Sequence, residues 1–515
     1  MTTEVASVGT GKAGPREWLG LAVLALPTLL VSMDLTVLFL AVPSLSADLQ
    51  PSATQLLWIT DIYGFVMAGL LITMGTLGDR VGRRRVLLGG AAAFGGASLL
   101  AAMSSSADML IATRALLGLA AATLLPSTLA LIRNMFRDAA QRSLAIGLWT
   151  TTFSVGGLLG PLAGGWLVEH FGWASVFTMA VPVMLLLLAL GPWLLPEFRS
   201  PQAARFDLLG AAQSLAATLG LVYGIKHIAL DGLDPLALAI IAAAAALGWC
   251  FARRQLRLVH PLLDLRLLKR PALAGALAAN VVAIFAWMGS LLFTAQYLQW
   301  VIGLSPLQAG VWTMPSAAAS VAACLAAPAV VRWAPPMHVI LSGLWLSVAG
   351  LCLLGAVPLA SGLPIVVTAS MLISAGVAVV LTLGTDLVMA SAPPAQAGAA
   401  SAFSETCTEI GGAFGIALLG SVGAWAYRHG LRDVDLSGVP AHGVDAARST
   451  LAGSLEAASG LAGPGGPALR DTALAAFGAS LQIAAAVAVL TVALASVGIW
   501  LACRRQAPRA HQASM

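Results

Sequence analysis

Five acidic side chains stand where acids are costly. Asp34, Asp61, Asp386, Glu405 and Glu409 fall inside long apolar runs, away from the run ends, and they are the only ones of the 22 acids in the chain to do so. A charge at the centre of a bilayer costs on the order of 3 kcal/mol, so such acids face a cavity and mark an ion or substrate path. Desolvation and like-charged neighbours disfavour an ionised carboxylate, so groups of this kind can take up and release protons near neutral pH. A lipophilic cation reaching the same cavity would compete with the proton for one negative site, the simplest physical form of proton–cation exchange. Asp34 and Asp61 fall at similar depth, about 9–13 Å below one membrane face at 1.5 Å per helical residue. Glu405 and Glu409 are four residues apart, on one helix face near mid-depth. Without matching intramembrane lysines, the expectation is an unpaired acidic cavity. Trp58, Tyr63 and Phe403 on the same helices offer ring faces to a cation, although interfacial anchoring explains Trp58 equally well. Asp386 sits near a run end, where interfacial solvation accounts for it equally well.

The composition says what must position these groups. Of 515 residues, 59% are hydrophobic and 10% charged, with a mean hydropathy of +0.90; soluble chains carry about 25% charged residues. Fourteen apolar runs are long enough to span a membrane: Trp18–Val42, Gln55–Leu77, Val86–Met103, Met109–Ile132, Ser143–Val168, Ala174–Leu195, Asp207–Leu230, Pro235–Ala252, Pro271–Tyr297, Leu307–Val331, His338–Val357, Pro364–Ala390, Gly398–Tyr427 and Thr472–Cys503. The first is too long for a signal-peptide core and is expected to be retained. The five cysteines fall inside apolar runs and read as small buried hydrophobes. Of 27 Lys and Arg residues, 21 fall in segments facing one side, which makes both termini cytoplasmic. The expected division is a cytoplasmic N-terminus (1–17), a six-helix bundle (18–195), two extra helices with a basic linker (196–270), a second six-helix bundle (271–503) and a cytoplasmic tail (504–515). Within the second bundle, an outer loop (428–471) contains a candidate amphipathic helix over Asp445 to Leu461.

Four stretches carry a more specific pattern. In Gly147 to Trp166, Gly156, Gly160 and Gly164 recur every fourth residue, with Gly157, Pro161 and Gly165 in a second row. At helical spacing this makes a smooth strip that admits another helix backbone, and Pro161 favours a bend. Gly75 to Arg85 is a glycine-rich turn, with Gly82, that sets one carboxylate, Asp79, among the guanidiniums of Arg80, Arg83, Arg84 and Arg85. Leu110, Arg114 and Gly118 are spaced by four, placing an arginine inside the fourth run. Asp34-Leu35-Thr36-Val37 precedes Ala41-Val42-Pro43 in the first.

These stretches resemble, in order, the fifth-helix antiporter signature, the loop signature, the fourth-helix motif and the first-helix motif of the major facilitator superfamily, in its fourteen-span drug:proton antiporter branch. Phe39 stands where that branch usually has asparagine. Trp58-Ile59-Thr60-Asp61-Ile62-Tyr63 and Glu405-x3-Glu409-Ile410-Gly411-Gly412 resemble exporters of quaternary ammonium compounds of the QacA/SmvA type. The resemblance implies an all-α membrane protein of the major-facilitator fold with 14 transmembrane helices (6+2+6), in the bacterial cytoplasmic membrane, exporting lipophilic cations in exchange for protons. It implies proton coupling through Asp34, Glu409 and Arg114, and substrate binding by Asp61, Glu405, Trp58, Tyr63 and Phe403. Conformational gating falls to Gly75, Asp79, Arg80, Gly82 and Arg83 and to Gly156, Gly160, Pro161 and Gly164. The tenth span lacks the acid that some relatives carry, and relatives fold the long outer loop as a hairpin over the vestibule. No cofactor beyond a proton gradient, no metal and no nucleic acid is implied, and a monomer among membrane lipids is expected.

Other classes fit poorly. Gly11-Lys12 lacks the rest of a phosphate-cradling loop, so a nucleotide-driven pump is excluded. The seven histidines are scattered, and no nucleophile–base pair marks an enzyme. An exporter of a natural-product antibiotic, or a proton-coupled nutrient symporter of the same fold, is the alternative.

Overall fold

A computed structural model describes residues 13–199, 207–231, 234–258, 261, 265–266, 271–358, 362–391, 397–434, 436, 439, 441–461 and 465–504, and its regular elements are all helical. They are α1 (Pro15–Leu49), α2 (Ala53–Val81), α3 (Arg83–Ala102), α4 (Ala107–Met135), α5 (Ala139–Phe171), α6 (Ser175–Thr178), α7 (Ala180–Leu194), α8 (Leu208–Asp231) and α9 (Pro235–Arg257). There follow α10 (Pro271–Gln296) with a π-helical continuation (Tyr297–Val301), α11 (Pro306–Val330), α12 (Pro336–Gly355), α13 (Leu363–Ser391), α14 (Ala397–Gly430), α15 (Ala441–Ser449), α16 (Leu451–Gly460) and α17 (Gly465–Arg504). Among the described residues, 13 helical stretches are long and apolar enough to cross a membrane. The remaining expected span coincides with α5, a continuous helix of 33 residues.

Helix starts follow local chemistry. The side chains of Ser52, Ser106, Asp138, Asp234 and Ser305 accept the backbone N–H three residues on, as N-caps do. Pro235 and Pro306 occupy first-turn positions where no donor is lost.

Asp48 of α1 accepts from Trp173 before α6 at 2.8 Å, and Gln55 of α2 donates to Asp108 of α4 at 2.8 Å, so the α1–α2, α3–α4 and α5–α6 turns share one end of the bundle. At the opposite end, Arg16 before Trp18 donates to the Trp193 carbonyl and Arg84 of α3 to that of Leu195.

The apolar interior forms two large clusters. One draws on α1 to α7; the other is built mainly by α10 to α14, α16 and α17. Trp300 in the π-helical stretch packs against both. The named joins between these assemblies gather towards the α1–α2 end. Gln299 donates to the Leu40 carbonyl at 3.1 Å, and Gln50 donates to Glu456 at 2.6 Å. Phe65 of α2 meets Phe414 of α14 edge-on at 5.9 Å. A Cβ at Gly165 of α5 would lie 2.5 Å from the Pro306 carbonyl oxygen of α11, and one at Gly310 of α11 would strike the Pro161 carbonyl.

α8 wedges between α2 and α14. Val222 is buried with Phe65, Ala413 and Ala417, and Leu215 lies over Gly69. Its partner α9 buries only Ala237, Ala244 and Gln255. Asp207 pins the base of this pair: it caps α8 at the Gly210 N–H (2.9 Å), pairs with Arg254 (2.8 Å) and accepts from Gln255 (3.3 Å).

Three expectations are corrected. α1 runs on to Leu49 instead of ending at Val42, because Pro43 lies within the helix and its end is packed through Asp48 and Gln50. Asp445 to Leu461 is not one helix: it breaks at Thr450, which caps α16 through the Gly453 N–H. Cys250, Cys324 and Cys352 are exposed and Cys407 is half-buried, as expected of apolar helices whose outer faces need no water-facing side chains.

Candidate functional site

The centre of the N-terminal assembly is an ion pair. Asp34 of α1 accepts from the Arg114 guanidinium of α4 at 2.7 Å, with 2% of the Arg114 side chain exposed and 13% of Asp34. Arg114 also donates through Nε to the Ile59 carbonyl of α2 at 3.2 Å, and its guanidinium lies 4.6 Å from the Tyr63 ring centroid. Gly118 makes this reach possible: a Cβ there would lie 2.5 Å from the Tyr63 carbonyl oxygen, so α2 and α4 touch backbone to backbone one turn from Arg114. The acids are therefore not an unpaired set. Asp34 has a buried partner, supplied by the one arginine inside a span; counting only lysines as counter-charges misses it.

Asp61 is 1% exposed, one turn beyond Leu57. Leu57, Asp61, Gly64 and Phe65 follow one face of α2, and the face meets α14: a Cβ at Gly420 would strike Leu57, and Gly64 lies beside Ala413. Asp61 thus sits in the seam between the two assemblies. Trp58 is half-buried beside the Phe65–Val222–Ala413 cluster. Tyr63 is buried, with one ring face beneath Arg114. On α14, Glu409 occupies the position one turn before Ala413 and Glu405 one turn earlier; their side chains, and that of Phe403, lie outside the described residues. Asp386 of α13 is exposed.

At the opposite end, Gly82 turns the chain between α2 and α3 with φ +123°, and a Cβ there would lie 2.5 Å from Glu197 Oε1. Glu197 accepts the Arg84 N–H at 3.2 Å and lies 3.8 Å from the Arg84 Nε and 3.7 Å from the Arg85 Nε. Arg83 is buried, its chain folded over Gly78, and its N–H donates to the Phe198 carbonyl. Gly75 packs on Pro126 of α4 and Arg80 is exposed; the Asp79 side chain lies outside the described residues. Glu197 was missed by sequence reasoning, although an acid just past an apolar run, with Arg199 and Arg205 following, is a visible signal.

The glycine strip of α5 faces two ways. Gly156, Gly160 and Gly164 lie against Leu29, Thr36 and Val37 of α1, inside one assembly. Pro161 and Gly165 lie against Gly310 and Pro306 of α11, across the seam. Beyond them Glu169 accepts from the Ser305 hydroxyl at 2.6 Å and the Leu307 N–H at 3.2 Å. No group of three or more potential metal ligands occurs among the described residues.

Residues 24–416 match the Major Facilitator Superfamily. The chain is 41% identical over 497 residues to the multidrug efflux pump LfrA of Mycolicibacterium smegmatis, covering 96% of this chain and 98% of that one. It is 35% identical to the methyl viologen resistance protein SmvA of Salmonella typhimurium (94% and 98% covered). To the tetracenomycin C resistance and export protein of Streptomyces glaucescens it is 32% identical (79% and 76% covered). Its fold is similar to that of a bacterial homolog of the human lysosomal transporter Spinster, inward-facing and unoccupied, with TM-score 0.67, 18% identity and 96% and 98% coverage. Family match, helical architecture and apolar spans agree: this chain belongs to the major facilitator superfamily, and it is a multi-pass transporter of the bacterial inner membrane, not an enzyme.

Proposed function

We propose that the chain exports lipophilic cations in exchange for protons, with the α1–α2 end outside. The observation that carries this reading is the buried Asp34–Arg114 pair beside buried Asp61. A proton on Asp34 would cancel the charge that Arg114 faces and free the guanidinium to shift towards the α2 carbonyls. Asp61, two residues beyond Ile59 and in the seam with α14, is the negative site that a cation can share with both halves. A proton on Asp34 and a cation near Asp61 then act on the same three helices, α1, α2 and α4, so occupancy at one site alters the other.

With the arginine-rich side inside, a molecule joined at the α1–α2 end is closed to the outside and receives substrate from the cytoplasm. LfrA is a multidrug efflux pump and SmvA a methyl viologen resistance protein, and their similarity over nearly the whole chain supports drug export here. Everted membrane vesicles test the exchange: adding ethidium or a quaternary ammonium compound should dissipate a preformed pH gradient. A gradient left unchanged by every cation would overturn proton exchange.

The second reading, export of an uncharged natural product, draws on similarity to the tetracenomycin C exporter. Asp61→Asn separates the two. Loss of cation transport, multivalent cations most severely, fits the first reading; full retention fits the second.

A further inference from the structure

We propose that Glu169 is a positioning residue of the transport cycle: its carboxylate caps α11 across the seam and, through that cap, sets how often the outer end opens. Glu169 stands one turn beyond Gly165 on α5, in the row of that helix that meets α11. Its Oε2 accepts from the Ser305 hydroxyl at 2.6 Å and from the Leu307 N–H at 3.2 Å. Both donors lie at the N-terminus of α11, and α5 and α11 belong to opposite assemblies.

The start of α11 shows what the carboxylate supplies. A helix begins with N–H groups that have no intrahelical partner. Here Ser305 Oγ accepts the Gln308 N–H at 3.2 Å, the Gln308 side chain accepts the Ser305 N–H at 3.1 Å, and Pro306 has no N–H to place. The Leu307 N–H remains, and Glu169 of the other assembly takes it. A negative charge at this point also meets the positive end of the helix dipole. The Ser305 hydroxyl, and after it the Leu307 N–H, hold the Glu169 carboxyl below its ordinary range, so it is charged throughout the neutral range. Among the described residues no lysine or arginine pairs with it. Its neighbour His170 is turned back along α5, with Nδ1 2.9 Å from the Trp166 carbonyl.

The cap must break whenever the halves part. Alternating access rocks one half against the other around the central site, and opening this end draws α5 away from α11. The contacts one turn below, Gly165 on Pro306 and Pro161 on Gly310, are backbone against backbone and carry no charge. The other polar joints here, Gln299 to the Leu40 carbonyl and Gln50 to Glu456, use neutral donors as Glu169 does. At the arginine-rich end the acids meet guanidiniums instead: Glu197 lies by Arg84 and Arg85, and Asp207 pairs with Arg254. Glu169 is exposed, so water takes over from Ser305 and Leu307 as they leave. The latch therefore favours the closed outer end and still releases. This role rests on the outward placement of the α1–α2 end proposed above and on no particular substrate.

The test is the rate at which a membrane-impermeant maleimide labels Leu57→Cys in the full chain with its five native cysteines changed to alanine. Leu57 is 4% exposed and fills the seam against Gly420 of α14, so labelling reports the fraction of molecules open at this end. In right-side-out vesicles at low ionic strength, Glu169→Gln should raise the rate about two- to fivefold. Glu169→Asp, which keeps the charge, should raise it less. Salt at about 1 M should speed labelling of the parent and leave Glu169→Gln unchanged, because screening weakens a charge–dipole contact and not a packing contact. Should Glu169→Gln fail to reach the membrane, the salt response of the parent decides. An unchanged rate in Glu169→Gln, a salt effect that survives in it, or a parent indifferent to salt would overturn the latch. Labelling of the parent in everted vesicles only would overturn the outward placement of this end, and this role with it.

Discussion

Removing one charge from a buried pair leaves the other stranded, which typically costs about 3–5 kcal/mol. Asp34→Asn should therefore abolish proton-driven efflux and also lower the unfolding midpoint, because Arg114 stays buried without its carboxylate. Adding Arg114→Gln should recover much of the midpoint and none of the transport. Recovery of ethidium efflux in the double variant would remove the pair from proton coupling. Asp207 allows a cleaner test of pH dependence, since it lies ahead of α8, outside the span. Burial opposes its ionisation, but the Arg254 guanidinium and the Gly210 and Gln255 N–H groups together hold its carboxyl below the ordinary range. A depressed folded-state value means the stabilisation is complete above the unfolded value of about 4 and is lost as pH falls through and below it. Asp207→Asn should weaken the protein at pH 7 by about 1–3 kcal/mol, with the gap to the unmodified chain beginning to narrow at pH 3.5 and narrowing further on stronger acidification; thermal unfolding in detergent across this range reads this. The residue types of the site were legible in the sequence because acids inside apolar runs are conspicuous. The Asp34–Arg114 pairing was not, since it depends on which helices touch across 80 positions of chain.

At the scale of the helix, the two rows of the α5 strip predict opposite phenotypes. Gly164→Leu forces a side chain onto Val37 inside one assembly and should reduce membrane abundance and the unfolding midpoint. Gly165→Leu meets the Pro306 carbonyl across the seam and should leave abundance unchanged while holding the α1–α2 end open. Cysteines placed at Glu169 and Ser305, whose side chains now touch, should cross-link in the parent and much less with Gly165→Leu. Equal cross-linking would mean that the seam tolerates the leucine. The four-residue glycine period was plain in the sequence; which neighbour each row meets was not, because either row suits any helix backbone. The helix starts after Ser52, Ser106 and Ser305 fall within two residues of the apolar runs read from the sequence, and the structure supplies the serine caps. The extension of α1 past Pro43 was not, since proline in a long apolar helix need not end it where neighbours satisfy the freed carbonyl.

At the scale of the whole molecule, the apolar runs made the all-helical membrane architecture legible, whereas the packing of α8 against both assemblies left no trace in the sequence. Its Val222 and Leu215 lie over α2 and α14, and α9 stands outside it with most of its side chains exposed. On the other flank α11 buries only Ala309, Gly310 and Ala327 among its described side chains and meets α5 at the α1–α2 end. The two flanks are thus unlike. A hydrophobic solute dissolved among the acyl chains finds one side of the transporter shuttered by a helix pair and the other guarded by a single helix. If drugs are collected from the bilayer, the expected side of entry is the α5–α11 flank, where only one helix stands between the lipid and the seam once the contacts of Gly165 and Gly310 part.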